Sequence, residues 1–145
     1  MLFFPGIMID RISKKLRMNP QTKNWLDSAT YDLETAESML QVGRYIYTIF
    51  MCHLTLEKAL KASVQELTGK TPPKTHNLRY LLKLSQLEPP EELFNFLSKL
   101  SDVSIPTRYP EDFAELKKSY DKKAAEYYLK ATKEAFQWIR KSLKY

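Results

Sequence analysis

Residues 45–62, YIYTIFMCHLTLEKALKA, contain the most apolar run of a 145-residue chain and predict its central helix. The first part, residues 45–56, is apolar nearly all round, which is typical of a helix that its neighbours contact from several sides. His53, Glu57 and Lys61 follow at intervals of four, so on a helix they share one face. The stretch therefore predicts a core helix that carries one titratable stripe.

Capping and breaking residues divide the rest of the chain into further helices. Asn19 and Pro20 favour a helix start, and Gly43 and Gly69 favour helix ends. The pattern predicts five helices, over about residues 19–43, 45–67, 77–84, 90–100 and 119–139, with a loop at 103–114. The expected fold class is all-α, an antiparallel up-and-down bundle of four to five helices.

The basic charge is concentrated at the N-terminus. The chain has a net charge of +6, and residues 1–24 supply +4 of it, from Arg11, Lys14, Lys15, Arg17 and Lys23 against Asp10. A basic excess favours phosphate binding through counterion release, whereas a solvated charge that aids solubility explains it equally well. We expect residues 1–18 to be a basic extension or arm and residues 19–145 to be the helical bundle.

Composition excludes several classes of protein. The single cysteine, Cys52, cannot form an internal disulfide or a cysteine-rich zinc site. No apolar run approaches the roughly 20 residues of a membrane span, and the apolar part of residues 1–18 precedes the basic part, the reverse of a secretory signal. There is no Gly-rich phosphate loop. We expect a cytoplasmic protein that uses no metal and no cofactor.

The stripe on the central helix has two interpretations. Glu57 and Lys61 stand in the favourable order for a helix ion pair, and with Lys58 beside them they would form a solvated edge. Alternatively, His53, Glu57 and Lys61 form a polar seam inside the bundle or across a dimer contact, where each charge needs a partner.

Two other segments carry candidate site residues. In KTHNLRYLL, residues 74–82, Asn77 suits a helix cap, or else Lys74, His76 and Arg79 form an anion site with the helix-start amides. In TRYPED, residues 107–112, Arg108 and Tyr109 suit holding a phosphate and stacking a base. The alternative is a salt bridge from Arg108 to Glu57 or Asp32 that ties this loop to the bundle.

These segments together resemble a HEPN domain over roughly residues 20–143. The resemblance lies in WLDSATYDLETAESMLQVGRYIYTIFMCHLTLEKALKA, then THNLRYLL, then TRYP, in that order and spacing. It implies an up-and-down bundle that usually forms a homodimer. It also implies a complex with a minimal nucleotidyltransferase, in which the HEPN protein is often the toxin and the transferase its antitoxin.

Active members of that family are metal-independent RNA endonucleases whose usual motif is Arg, four to six residues, then His. This sequence departs from the motif. Eight residues separate Arg44 from His53, and the residue at the right spacing before His76 is Lys70, which lacks the planar fork of Arg. Whether the chain is an enzyme stays open, with His76, His53 and Arg108 as the candidate catalytic residues.

Three functions follow from the sequence and the resemblance. The first is a protein that binds nucleotide or RNA and works with a nucleotidyltransferase. The second is a catalytically silent dimerisation or interaction module, and the third is an endonuclease with an altered motif. For the first, the expected ligand-binding residues are Glu57, Lys58, Lys61, His76, Arg79, Arg108 and Tyr109.

Overall fold

The computed structural model describes residues 19–145, except the side chain of Arg108. This part of the chain contains seven helices: α1 (Pro20–Gln41), α2 (Tyr45–Thr68), α3 (Leu78–Ser85), α4 (Glu91–Asp102), α5 (Ser104–Arg108), α6 (Phe113–Ser119) and α7 (Lys122–Ser142). The all-α fold class is confirmed. The expected N-terminal arm, residues 1–18, lies outside the described residues.

The helix boundaries follow the local sequence. The side chains of Asn19, Asn77 and Asp121 cap α1, α3 and α7 by accepting backbone hydrogen bonds from Gln21, Tyr80 and Ala124, respectively. Gly43 and Gly69 follow α1 and α2 with φ of 79° and 70°, a region that strains any residue with a Cβ. The predicted starts and stops of the long helices are thereby confirmed.

The proline-rich segment 103–114 is a loop only at residues 109–112, because α5 covers residues 104–108 and α6 begins at Phe113. The predicted continuous loop was therefore wrong. Pro106 lies in the first turn of α5, where a backbone N–H has no partner within the helix and is not missed. The N–H groups of Thr107 and Tyr109 donate to the carbonyls of Val103 and Ile105 at 3.2 and 2.8 Å. A proline signals a break inside a helix but is compatible with a helix start.

Helix α2 forms the centre of the bundle. Its residues Ile49, Cys52, Leu56 and Leu60 are completely buried. The short turn at 42–44 folds α1 back along α2, while α3 and α7 pack on other sides of α2 and α4 packs on α3 and α7. This central position explains why the first part of α2 is apolar on all sides.

The buried thiol of Cys52 provides a test of this packing. Burial raises the pKa of Cys52 from 9.0 to about 12. Because the thiolate is the nucleophile, we expect iodoacetamide at pH 8 to alkylate the folded protein about 1000-fold more slowly than the unfolded protein, and the rate to rise with pH. Mass spectrometry after timed quenching measures both rates. Fast labelling of the native protein would contradict the burial of this residue.

None of the helices in residues 19–145 is long and apolar enough to cross a membrane.

Candidate functional site

The titratable stripe of α2 lies inside the bundle. The exposed fractions of His53, Glu57 and Lys61 are 0%, 4% and 7%. The polar-seam interpretation is therefore confirmed, and the solvated-edge interpretation was wrong. The reason is that other helices pack on several sides of α2. A face with charged residues would be exposed on an isolated helix, but here neighbouring segments cover it.

Glu57 is the centre of this seam. Its Oε2 lies 3.2 Å from the Nζ of Lys61, and its Oε1 lies 2.7 Å from the Nδ1 of His76 and 3.8 Å from the Nδ1 of His53. A buried carboxylate is very costly without such partners. The Glu57 site is defined here as these four residues, and it links α2 to the segment that leads into α3.

The contact with Glu57 orients the ring of His76. An ionised carboxylate only accepts hydrogen bonds, so Nδ1 of His76 carries the proton in the 2.7 Å contact. The other ring nitrogen, Nε2, is the atom left to meet a ligand, and it accepts a hydrogen bond in the neutral ring and donates one, as to a phosphate, in the imidazolium. The His76 side chain is 62% exposed, so this oriented ring is accessible to a ligand from solvent.

Trp25 of α1 contacts the ammonium group of Lys61. The ammonium nitrogen lies 5.4 Å from the centroid of the Trp25 ring, within the range of a cation–π contact. The positive charge of Lys61 is thus compensated on one side by Glu57 and on another by an aromatic ring. The ammonium group is therefore held between a carboxylate and an aromatic ring rather than free in solvent.

Lys58 and Arg79 were predicted to bind ligand, and the structure places both in ion pairs between helices. The Nζ of Lys58 lies 2.7 Å from Asp32 and donates to Ser28 at 2.7 Å, so Lys58 ties α2 to α1. The Nη2 of Arg79 lies 2.6 Å from Asp102 and links α3 to α4. A direct role in ligand binding stays a prediction for both.

The TRYP segment lies at α5. The side chain of Arg108 is outside the described structure, so its expected pairing with Glu57 or Asp32 stays a prediction. Tyr109 is exposed and lines an open groove of about 470 Å³ between α5 and α6. Glu111, Asp112 and Glu115 also line this groove, and their charges disfavour a phosphate beside Tyr109.

Among the residues of the described chain, no three His, Cys, Asp or Glu side chains come together as potential metal ligands.

Comparison with known proteins identifies the family. A family model described as HEPN domain matches residues 22–142. The chain belongs to the HEPN family. The resemblance drawn from the sequence is confirmed, and the match spans all seven helices.

Two solved structures resemble this HEPN domain. One is TT1696 from Thermus thermophilus, with a TM-score of 0.72 and 25% identity, covering 83% of this chain and 97% of that one. The other is an archaeal HEPN homologue, with a TM-score of 0.67 and 22% identity, covering 84% of this chain and 97% of that one. The second likeness concerns the fold alone. No curated protein significantly matches the sequence.

Sequence reasoning missed Trp25 in this HEPN domain. It stands one position before Leu26, which is buried on the apolar face of α1, and no role was predicted for it. Its contact with Lys61 depends on the alignment of α1 beside α2, which the sequence of either helix does not give. A large aromatic residue at the edge of an apolar stripe was the only available signal.

Proposed function

We propose that this HEPN domain binds nucleotide or RNA at the Glu57 site, with His76 as the contacting residue. The observation that carries the proposal is the exposed His76 ring held at Nδ1 by the buried carboxylate of Glu57. Such an arrangement orients one ring nitrogen towards solvent before any ligand arrives, which lowers the cost of ordering the ring on binding.

The chemistry of the site suits a nucleotide. An imidazole ring can hydrogen-bond a phosphate or a base edge and can stack on an unpaired base. Lys61 adds a positive charge at the other oxygen of the same carboxylate, and Glu57 compensates that charge at 3.2 Å. We therefore expect His76 to supply the direct contact and Lys61 to act mainly by holding the carboxylate of Glu57 in place.

The proposal includes the biological setting that the family resemblance implies. The protein would act in the cytoplasm as a homodimer, in a complex with a minimal nucleotidyltransferase, as one half of a toxin–antitoxin pair. Affinity purification of the native protein from its own cell tests this setting. A nucleotidyltransferase recovered in comparable amount is the expected result, and its absence from a complex that still contains bound RNA would contradict the pairing.

A catalytically silent interaction module is the second candidate. Its support is that Lys58 and Arg79, two of the predicted ligand contacts, are occupied in ion pairs between helices. In that case the Glu57 site would serve to join α2 to the start of α3, and the protein would bind its protein partner but no RNA.

Titration of fluorescently labelled single-stranded RNA and of labelled ATP, followed by anisotropy, separates the two functions. We expect His76→Gln to weaken binding about tenfold, because it removes the ring that Glu57 holds in position and with it one preorganised contact to the ligand. Lys133→Gln is the matched control, since Lys133 is neutralised by Glu37 at 2.7 Å and should change the affinity less than twofold.

The outcomes are distinct. Equal affinity of wild type and His76→Gln would remove His76 from the binding site, and absence of binding by the wild type would favour the interaction module. Gel analysis of the same mixtures with EDTA present reports any metal-independent cleavage.

A further inference from the structure

A second surface of the molecule carries an exposed aromatic ring among lysines. Tyr127 on α7 is 49% exposed, and we define the Tyr127 surface as Tyr127 with Lys99 of α4 and Lys123 and Lys130 of α7. All three lysines are exposed. Because Lys123 and Lys130 stand four residues before and three residues after Tyr127, they lie on the same face of α7.

The tyrosine ring is held in a fixed orientation. It makes edge contacts with Phe96, at 6.0 Å between centroids and 84° between planes, and with Tyr128, at 5.4 Å and 74°. The Nζ of Lys99 lies 4.8 Å from its centroid. Phe96 and Tyr128 are buried. The ring of Tyr127 therefore rests on the core, and the part of it that they do not contact faces solvent.

The lysines of this surface differ from their neighbours in their charge partners. Lys122 pairs with Glu126 at 4.0 Å and Lys133 pairs with Glu37 at 2.7 Å. Within the described part of the chain, Lys99, Lys123 and Lys130 form no ion pair. Lys99 lies over the rings of Tyr127 and Tyr128, at 4.8 and 5.6 Å from their centroids, so its ammonium group stays beside the ring. Because no carboxylate of the described residues lies within salt-bridge distance of the three lysines, their ammonium groups can contact an anionic ligand.

We propose that the Tyr127 surface binds single-stranded nucleic acid, with a base stacked on Tyr127 and the three lysines in contact with flanking phosphates. Lys123 and Lys130 are separated by about 10 Å along α7, at about 1.5 Å per residue, with the ring between them. Aromatic rings flanked by positive charge are the usual platform for unpaired bases, because every base has a face that can stack.

This inference rests on the proposed function, since it names unpaired RNA as the ligand and adds a second contact to it. The two surfaces are connected through α4. Lys99 precedes Asp102 by one turn, Asp102 holds Arg79 at 2.6 Å, and Arg79 is three residues beyond His76.

The test measures affinity for single-stranded RNA as a function of salt. In the triple variant Lys99→Gln/Lys123→Gln/Lys130→Gln, we expect the slope of log K against log[salt] to fall in magnitude by about 2, since each phosphate contact of a single strand contributes about 0.7. Lys133→Gln, which removes a paired lysine from the same helix, should leave the slope unchanged. Circular dichroism confirms that each variant is folded.

Two changes at the ring test stacking. Tyr127→Ala should weaken binding about tenfold, whereas Tyr127→Phe, which keeps the ring, should bind within about twofold of wild type. A duplex of the same sequence should bind more weakly than the single strand, because its bases are paired. Equal binding of duplex and single strand, or equal loss in both tyrosine variants, would overturn stacking.

The failures of the two proposals can be told apart. If His76→Gln weakens binding but the triple variant keeps the wild-type slope, the Tyr127 surface is overturned and the Glu57 site stands. If the triple variant loses slope and His76→Gln binds normally, the Tyr127 surface stands and the Glu57 site is overturned. A wild-type protein that does not bind RNA overturns both.

Discussion

Replacement of Glu57 by alanine is expected to lower the free energy of unfolding by about 3–5 kcal/mol. The carboxylate is 4% exposed and contacts both Lys61 and His76. Its removal would leave the buried ammonium group of Lys61 without its charge partner, and that uncompensated charge is the main source of the loss. Urea denaturation of the two proteins measures the difference.

An exposed ion pair provides the matched control. Asp27 pairs with Lys23 at the same i,i+4 spacing, but both side chains are 64% exposed. We expect Asp27→Ala to change the free energy of unfolding by less than about 1 kcal/mol. If the loss in Glu57→Ala were equally small, the polar seam would not be the buried, paired cluster described above.

Replacement of Leu60 by alanine is expected to cost about 2–5 kcal/mol. Leu60 is fully buried at the centre of the core, so the substitution loses the transfer free energy of the side chain and leaves a cavity. Leu67→Ala is the control, because Leu67 lies on the same helix but is half exposed, and surface substitutions usually stay within about 0.5 kcal/mol. Urea denaturation again gives the values, and similar losses at the two positions would contradict the central placement of α2.

The long helices could be predicted from the sequence because their ends are encoded locally. Asn19, Asn77 and Asp121 accept backbone hydrogen bonds at the helix starts, and Gly43 and Gly69 adopt positive φ at the helix ends. Each signal acts within a few residues. The helix at Pro106 was missed because the same residue type marks a break in one position and a start in another.

The partners of the charged residues could not be predicted in the same way. Lys58 pairs with Asp32 and Arg79 pairs with Asp102, across contacts between different helices. The spacing of Glu57 and Lys61 indicated that they could meet, but whether they meet in water or in the core depends on what covers α2. Only the alignment of the packed helices determines that, and it also brings Trp25 to Lys61.

A single helix therefore serves two purposes in this HEPN domain. The part of α2 around Ile49 and Leu56 builds the core, and the face with Glu57 and Lys61 holds the exposed ring of His76. Because the buried carboxylate of Glu57 needs its partners, a substitution of Glu57 would alter the site and lower the stability of the fold at the same time. His76 lies at the surface end of the cluster and its side chain is 62% exposed, so we expect its replacement to cost less stability than the replacement of Glu57.

The most direct test of the central claim is a long-range ¹H–¹⁵N spectrum of the histidine rings during titration with single-stranded RNA. We predict that the Nε2 resonance of His76 shifts progressively and saturates, while its Nδ1 stays protonated through the contact with Glu57. A His76 ring whose resonances do not change when the protein is saturated with RNA would contradict the assignment of this site to nucleotide or RNA binding.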